Sequence, residues 1–352
     1  MKQKSGDGRT VKTVNEPIGH HFLPEFYLKG FTREEMLSVY DRRRNSYSKQ
    51  HPRTTAKINY FYSIEDEAGG RDPVVERDLS VIEGRAKPII TALDEGAGIS
   101  PEDRVHLSIF LALLHSRVPK FEREITEIVD QTAKALLKKM MPNEDAVRAH
   151  RERMGRHSDV DPAAVVDFVQ NERFYMKGHR NHAIDAMLNQ WRKLTELFNI
   201  MDWTVAHVGA RSSFITTDAP FAFLADEQVM RSGAPVLAVG SFEVTKAVPL
   251  TQRTCLLLGG KGVKLEHRDF SRVEVREINE RLAEECERFL YGTDEDRLRN
   301  IVRRSEIDRK RRTGTRMRVD HIPHPTDPSR TYMVSYRVSV DAPNKPLKIA
   351  VD

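Results

Sequence analysis

Hydrophobic positions divide the chain into a helical part and a β-rich part. From Pro73 to about Ile200, apolar residues recur three and four positions apart, which places them on one face of a helix. After Ile200 the pattern changes to short β-branched or alternating segments such as "WTVAHV" and "TCLLLG", separated by Gly, Pro and Asp. The sequence therefore predicts an α+β protein with a large helical lobe at about 73–200, packed on a mixed or antiparallel sheet at about 201–292.

Local signals refine this division. Residues 1–17 have no hydrophobic periodicity and predict a flexible arm. Leu37, Val39 and Tyr47 lie on either side of a polar turn, which predicts a β-hairpin. The segment "SPED" at 100–103 has a capping hydroxyl, a proline at the first helical position and two acids at the positive end of the helix dipole. It predicts one long helix that ends near Met140.

The composition limits the class of protein. Hydrophobic residues make up 39% of the 352 residues, and the longest apolar runs, "IFLALL" and "CLLL", are much shorter than the ~20 residues of a membrane span. No apolar segment follows the basic start, so a secretion signal is not predicted. Two cysteines, Cys255 and Cys286, do not suggest a disulfide framework. These features predict a cytoplasmic protein that does not cross a membrane.

Positive charge is concentrated near the C-terminus, in the part at 293–352 that we interpret as a basic extension with a terminal strand. Arg303–Arg318 contains eight Lys and Arg against two acidic residues, a local excess of six that exceeds the net charge of +5. Such a run attracts phosphate backbones through counterion release, although it is also typical of a solvated helix face. The candidate nucleic-acid contacts are Arg309, Lys310, Arg311 and Arg312.

Several short motifs occur in a fixed order. The first is a His-x-x-Pro-x-x-Tyr-Leu-x-x-Phe pattern at 21–31, and the others are "VYD" at 39–41, "FYS" at 61–63, "ExxLxxIE" at 76–83, "SRVPKF" at 116–121, "FITTDAPF" at 214–221 and "PLT" at 249–251. Together they resemble the bacterial domain-of-unknown-function family numbered 4238, over about residues 18–292. That family usually has Ser where this chain has Thr217, which keeps the hydroxyl.

The resemblance implies a context but no reaction. Some relatives lie in bacterial antiphage defence loci, and that context favours a toxic effector, often a nuclease, over a metabolic enzyme. No Gly-rich phosphate loop, Gly-x-Ser-x-Gly elbow, Cys-x-x-Cys pair or His-Glu-x-x-His motif is present in the sequence. The chemistry must therefore come from residues dispersed along the chain.

Five residues are candidates for catalysis, and each has a structural alternative. His21 suits a general base or metal ligand, or else a buried histidine bonded to the backbone. Asp218 follows a β-segment and suits a metal ligand or acid, or else a turn cap. Glu76 and Glu83 are two helical turns, ~10 Å, apart, so at most one is a direct ligand of a metal ion. Arg117 suits a phosphate clamp or an internal partner of a glutamate.

Two hypotheses follow. The first is a cytoplasmic defence-type effector that cleaves phosphodiesters in nucleic acid, with a divalent metal ion as the candidate cofactor. The second is a non-catalytic sensor or binding protein of a defence system, in which the same residues form a buried polar network. Its basic surface would bind a phage or host macromolecule. The sequence does not determine the cofactor or the oligomeric state.

The basic segment gives a first prediction. If it binds phosphates, replacing Arg309, Lys310, Arg311 and Arg312 with Ala should weaken nucleic-acid binding for all sequences alike. The salt dependence on duplex DNA should become flatter by ~0.9 log unit for each phosphate that the variant no longer neutralises. Fluorescence anisotropy at several salt concentrations measures both quantities. Equal affinities and slopes for the wild type and the variant would identify the run as a solvated face.

Overall fold

A computed structural model describes residues 19–62, 64–65, 71–72, 74–155, 158–176, 180–224, 239–305, 315–324 and 327–339. Within these ranges the helices are α1 (Glu25–Lys29), α2 (Val74–Asp94), α3 (Pro101–Ser116), α4 (Pro119–Met140), α5 (Glu144–Arg153), α6 (Pro162–Gln170), α7 (Arg180–Ile200), α8 (Arg272–Glu285) and α9 (Glu295–Arg304). A short 3-10 helix occupies Pro52–Thr54. The arm predicted at 1–17 lies outside the described residues.

The strands are β1 (Gly19–His21), β2 (Leu37–Asp41), β3 (Ser46–Gln50), β4 (Lys57–Asn59), β5 (Ile64–Glu65), β6 (Arg71–Asp72), β7 (Asp202–Val208), β8 (Thr216–Thr217), β9 (Ala222–Leu224), β10 (Thr245–Pro249), β11 (Thr254–Gly259), β12 (Leu265–Phe270), β13 (Phe289–Gly292), β14 (Thr315–His324) and β15 (Asp327–Ser339). A five-stranded sheet has the order β12-β7-β11-β10-β9, and a four-stranded sheet has the order β3-β2-β13-β8. Two-stranded pairs join β1 with β4, β5 with β6, and β14 with β15. The α+β prediction is confirmed.

The two larger sheets differ in strand direction. In the five-stranded sheet β12 runs parallel to β7, and the other neighbours are antiparallel, so this sheet is mixed. The four-stranded sheet is antiparallel throughout. The predicted hairpin is its β2–β3 pair, in which Tyr40 lies opposite Tyr47.

The five-stranded sheet is covered on both faces. Trp203 and Val205 belong to a core cluster shared with α1, α2, α3 and α7. Ala206 and Val208 belong to a second cluster, which contains α8, α9 and parts of the four-stranded sheet. Burial of apolar surface on both faces stabilises this layered arrangement. None of the helices in the described part of the chain has both the length and the apolar character needed to cross a bilayer.

The single long helix predicted from 101 to 140 is wrong, because the structure has two helices there. The predicted start is correct, since Ser100 Oγ accepts a hydrogen bond from the Asp103 N–H at 3.0 Å. However, α3 ends at Ser116, and α4 begins at Pro119 with Val118 in an extended conformation. A proline disfavours the helical conformation of the preceding residue, which explains the break.

Tyr27 connects α1 to both larger sheets. Its buried hydroxyl lies 2.7 Å from Thr216 Oγ1 in β8 and donates to the Pro249 carbonyl, at the end of β10, at 2.8 Å. Removing one member of a buried hydrogen bond leaves the other without its partner, which costs more free energy than the bond itself contributes. One phenol therefore connects three segments that are distant in sequence.

Tyr27→Phe should lower the free energy of unfolding by about 1–3 kcal/mol, because Thr216 and the Pro249 carbonyl lose a buried partner. Urea denaturation measures the change. Tyr175→Phe is the matched control, since Tyr175 is 64% exposed, and it should change the value by less than ~0.5 kcal/mol. Equal unfolding midpoints for the two variants would contradict a structural role for the Tyr27 hydroxyl.

Candidate functional site

A buried arginine organises the polar residues nearest to the first motif. Arg117 is 2% exposed. Its Nη1 donates to Glu83 Oε1 of α2 at 2.6 Å, and its Nη2 donates to the His21 carbonyl of β1 at 2.6 Å. The Tyr62 hydroxyl donates to the Arg117 carbonyl at 2.5 Å, and the Tyr62 ring centre lies 5.5 Å from the guanidinium carbon. The cation thus connects α2, β1 and the break between α3 and α4.

The two neighbouring histidines of the first motif have different environments. The His20 side chain is fully buried, and its Nδ1 accepts a hydrogen bond from the Tyr62 N–H at 3.1 Å. His21 is half-buried, and its pKa falls to about 4, mainly because of burial and then because of the nearby Lys57. The His21 imidazole is therefore neutral at pH 7. His20 fits the structural alternative that the sequence analysis considered for His21.

Asp218 lies in a second polar cluster. Its carboxylate is 5% exposed and accepts hydrogen bonds from the backbone N–H groups of Glu287, Arg288 and Phe289 at 2.8–3.0 Å. Burial is the largest influence on this carboxyl and raises its pKa to about 6, although the backbone donors act in the opposite direction. Asp218 therefore fastens the end of β8 to the start of β13.

The structure brings three of the predicted site residues together, and Asp218 has a different set of partners. Arg117 contacts Glu83 and the His21 backbone, whereas within the described residues no hydrogen bond or ion pair connects this group with Asp218. The Glu76 side chain and the whole segment Arg309–Arg312 lie outside the described residues. In the part of the chain described, no three His, Cys, Asp or Glu side chains are placed to hold a metal ion.

The "SRVPKF" and "FITTDAPF" segments both line one pocket beside α4. Its enclosed space for water-sized groups is about 70 Å³, and it opens further to solvent. Its apolar lining is Val118, Phe121, Ile125, Ile128, Ala219, Pro220, Phe221, Phe223 and Val239, and its polar lining is His115, Lys120, Glu124 and Gln190. An apolar cavity with a few polar groups is the usual form of a small-molecule site.

Contacts behind the pocket connect it to the Asp218 cluster. Lys120 Nζ lies 2.5 Å from Glu285 Oε2 at the end of α8, and Arg123 forms an ion pair with Glu287. The His115 ring packs edge-on against Phe221, with ring centres 5.0 Å apart. The beginning of α4 is therefore fixed against the same loop that binds the Asp218 carboxylate.

The residues that line this pocket are not among the predicted site residues. The predicted residues in the motifs are ionisable, whereas the lining consists mainly of aromatic and aliphatic side chains, including Phe121 and Phe221 of the same motifs. The signal that could have identified them was the phenylalanine that ends each of these two segments. His115 and Gln190 lie outside the motifs and had no such signal.

Comparison with known proteins assigns the chain to a family. The family described as "Protein of unknown function (DUF4238)" matches residues 19–296, most of the chain. The chain belongs to this family. No curated protein and no solved structure matches it. Family membership confirms the motif resemblance and leaves the chemistry to be argued from the pocket and its surroundings.

Replacing Arg117 with Met should destabilise the protein by about 3–5 kcal/mol, because Glu83 and the His21 carbonyl lose a buried cationic partner. Arg148→Met is a matched control, since Arg148 pairs with Glu144 at the surface, and it should cost less than ~1 kcal/mol. Urea denaturation compares the two. An Arg117 variant with unchanged stability would show that the guanidinium is not needed to hold α2 and β1 together.

Proposed function

We propose that this protein is a ligand-binding sensor whose binding site is the pocket beside α4. The observation that carries the proposal is that two family motifs, about a hundred residues apart in sequence, both line this pocket. If these two motifs served only to stabilise the fold, their side chains should fill the space between them, because protein interiors leave few voids larger than a water molecule. An open apolar pocket between the two motifs is better explained by an occupant.

The lining indicates the chemistry of that occupant. Three phenylalanines, Phe121, Phe221 and Phe223, present flat apolar surfaces, and aromatic rings pack well against other planar groups. His115 and Gln190 supply polar atoms that can bind the edge of such a group. Lys120, in contrast, pairs with Glu285, and Glu124 adds a carboxylate to the lining. The ligand we propose is a planar, mainly apolar group with a polar edge.

The polar network favours binding over catalysis through the predicted residues. Arg117 directs both of its Nη atoms to Glu83 and the His21 carbonyl, and Asp218 directs its carboxylate to three backbone N–H groups. Groups engaged in this way maintain the scaffold, as the sensor hypothesis requires. In the defence context of the family resemblance, ligand binding would signal infection inside the cytoplasm.

Phosphodiester hydrolysis is the second candidate, with the half-buried His21 of the first motif as its base. The His21 imidazole is neutral at pH 7, but burial lowers its pKa to about 4, which makes it a weak base. The test is incubation with tRNA, single-stranded and duplex nucleic acids, with and without Mg²⁺ or Mn²⁺. Cleavage that is lost in His21→Ala would favour this candidate over the sensor.

The pocket proposal predicts the effect of filling the cavity. Ile128→Trp should weaken binding of the aromatic anionic probe 1-anilinonaphthalene-8-sulfonate by at least about tenfold, because the indole occupies the space that the naphthalene ring needs. Val129→Trp is the matched control, since Val129 is 37% exposed and does not line the pocket, and it should stay within about twofold of wild type. Fluorescence titration gives both the affinity and the stoichiometry.

Competition then identifies the ligand class. Displacement of the probe by adenosine would indicate a nucleobase, and displacement by N-acetyltryptophanamide would indicate an aromatic side chain of a protein. Identical titrations for wild type, Ile128→Trp and Val129→Trp would place the probe elsewhere and contradict the proposed site.

A further inference from the structure

A second concave surface lies between α8 and α9, on the part of the chain that the pocket proposal does not use. This groove has about 400 Å³ of space for water-sized groups. Four of its lining residues are arginines: Arg272 and Arg276 from α8, and Arg297 and Arg304 from α9. Each pair is separated by whole turns, four residues in α8 and seven in α9, so both pairs face the groove.

The floor of the groove is buried and packed against the core. Val275 is 3% exposed and Ile301 is 6% exposed, and both pack in the second core cluster. Asn279 is also buried, and its side chain accepts a hydrogen bond from the Ile215 N–H and donates to the Ser213 carbonyl, both at 3.0 Å. The arginines therefore project from helices whose inner faces are held by buried contacts.

Within the described ranges of the chain, two of the four guanidinium groups have no acidic partner. Arg276 lies 3.9 Å from Glu280, and Arg297 lies 3.4 Å from Asp294. Among the described residues, Arg272 and Arg304 form no ion pair. The third acidic residue of the lining is Asp296, so four cations face three anions.

We propose that this groove binds the phosphodiester backbone of a nucleic-acid strand. A guanidinium presents two parallel N–H groups that match two phosphate oxygens, which makes arginine the preferred partner of phosphate. The lining described contains no aromatic side chain on which a base could stack, so the contacts are with the backbone and do not depend on sequence.

The surrounding charge is consistent with a polyanionic partner. Arg304 is the last residue of α9 and belongs to the basic run at 303–318, which has a local excess of six positive charges. Arg303 and Arg304 place two positive charges in the last turn of α9, and a positive field attracts phosphates over longer distances than direct contact.

The test removes charge from the groove and, separately, from another surface. Arg272→Gln combined with Arg304→Gln should weaken binding of a short fluorescent duplex DNA at low salt by about tenfold or more. The slope of log affinity against log salt should fall by ~0.9 for each phosphate that the variant no longer neutralises. The control is Arg148→Gln with Arg173→Gln, which removes two exposed arginines that pair with Glu144, Asp145 and Asp167. It should leave the slope unchanged.

A variant with the opposite expected effect controls for loss of folding. Asp296→Asn removes a negative charge from the groove and should tighten binding, which an unfolded protein would not do. The groove variants are also made in the chain that carries Ala at 309–312, so that the groove and the basic run are measured separately. Equal titrations for the groove and control pairs would overturn the proposal.

Competition distinguishes a strand from a free phosphate. Complete displacement of the DNA by millimolar inorganic phosphate, with no change of salt slope in the groove variants, would identify a site for a single phosphate group and overturn strand binding. Displacement by unlabelled single-stranded or duplex DNA, with the reduced slope, supports it.

Discussion

The burial of one guanidinium constrains the arrangement of the helical lobe. Transfer of a charged side chain from water into a protein interior costs several kcal/mol unless partners replace the lost hydration. Arg117 obtains these partners from Glu83 and from the His21 carbonyl, while Tyr62 binds its backbone. Since the guanidinium follows the end of α3 directly, the position of α2 and β1 and the point where α4 begins depend on the same contact.

The pocket is a consequence of that contact and of a second anchor. Residues 118–121 follow Arg117 and supply part of the lining, whereas residues 219–221 follow Asp218 and supply another part. In both segments a buried charged side chain fixes the backbone, and the apolar residues after it face the cavity. The family motifs thus combine two kinds of residue, those that hold the segment in place and those that contact the cavity.

The sequence could predict the parts of the structure that depend on local signals. Hydrophobic periodicity identified the helical lobe, and the capping hydroxyl of Ser100 marked the start of α3. Pro119 also carried a local signal, but the helical spacing of apolar residues continues across it, so the break was missed.

The candidate site was less predictable, because its geometry depends on remote partners. Successive residues of a strand face opposite sides, so His20 and His21 point in different directions, but which one is buried depends on the position of the core. The backbone donors that bind Asp218 are about seventy residues away in sequence. Neither fact has a local signature.

The arginines of this protein are better interpreted by their contacts than by their number. Arg104 is buried, and its guanidinium donates to the carbonyls of Asn199 and Met201 at the end of α7, where the helix dipole is negative. Its charge is used inside the fold and adds little to the external field. Arg272 and Arg304 have no such acceptors among the described residues, so their charge is directed to solvent. The net charge of +5 therefore does not show which arginines are available at the surface to bind a ligand.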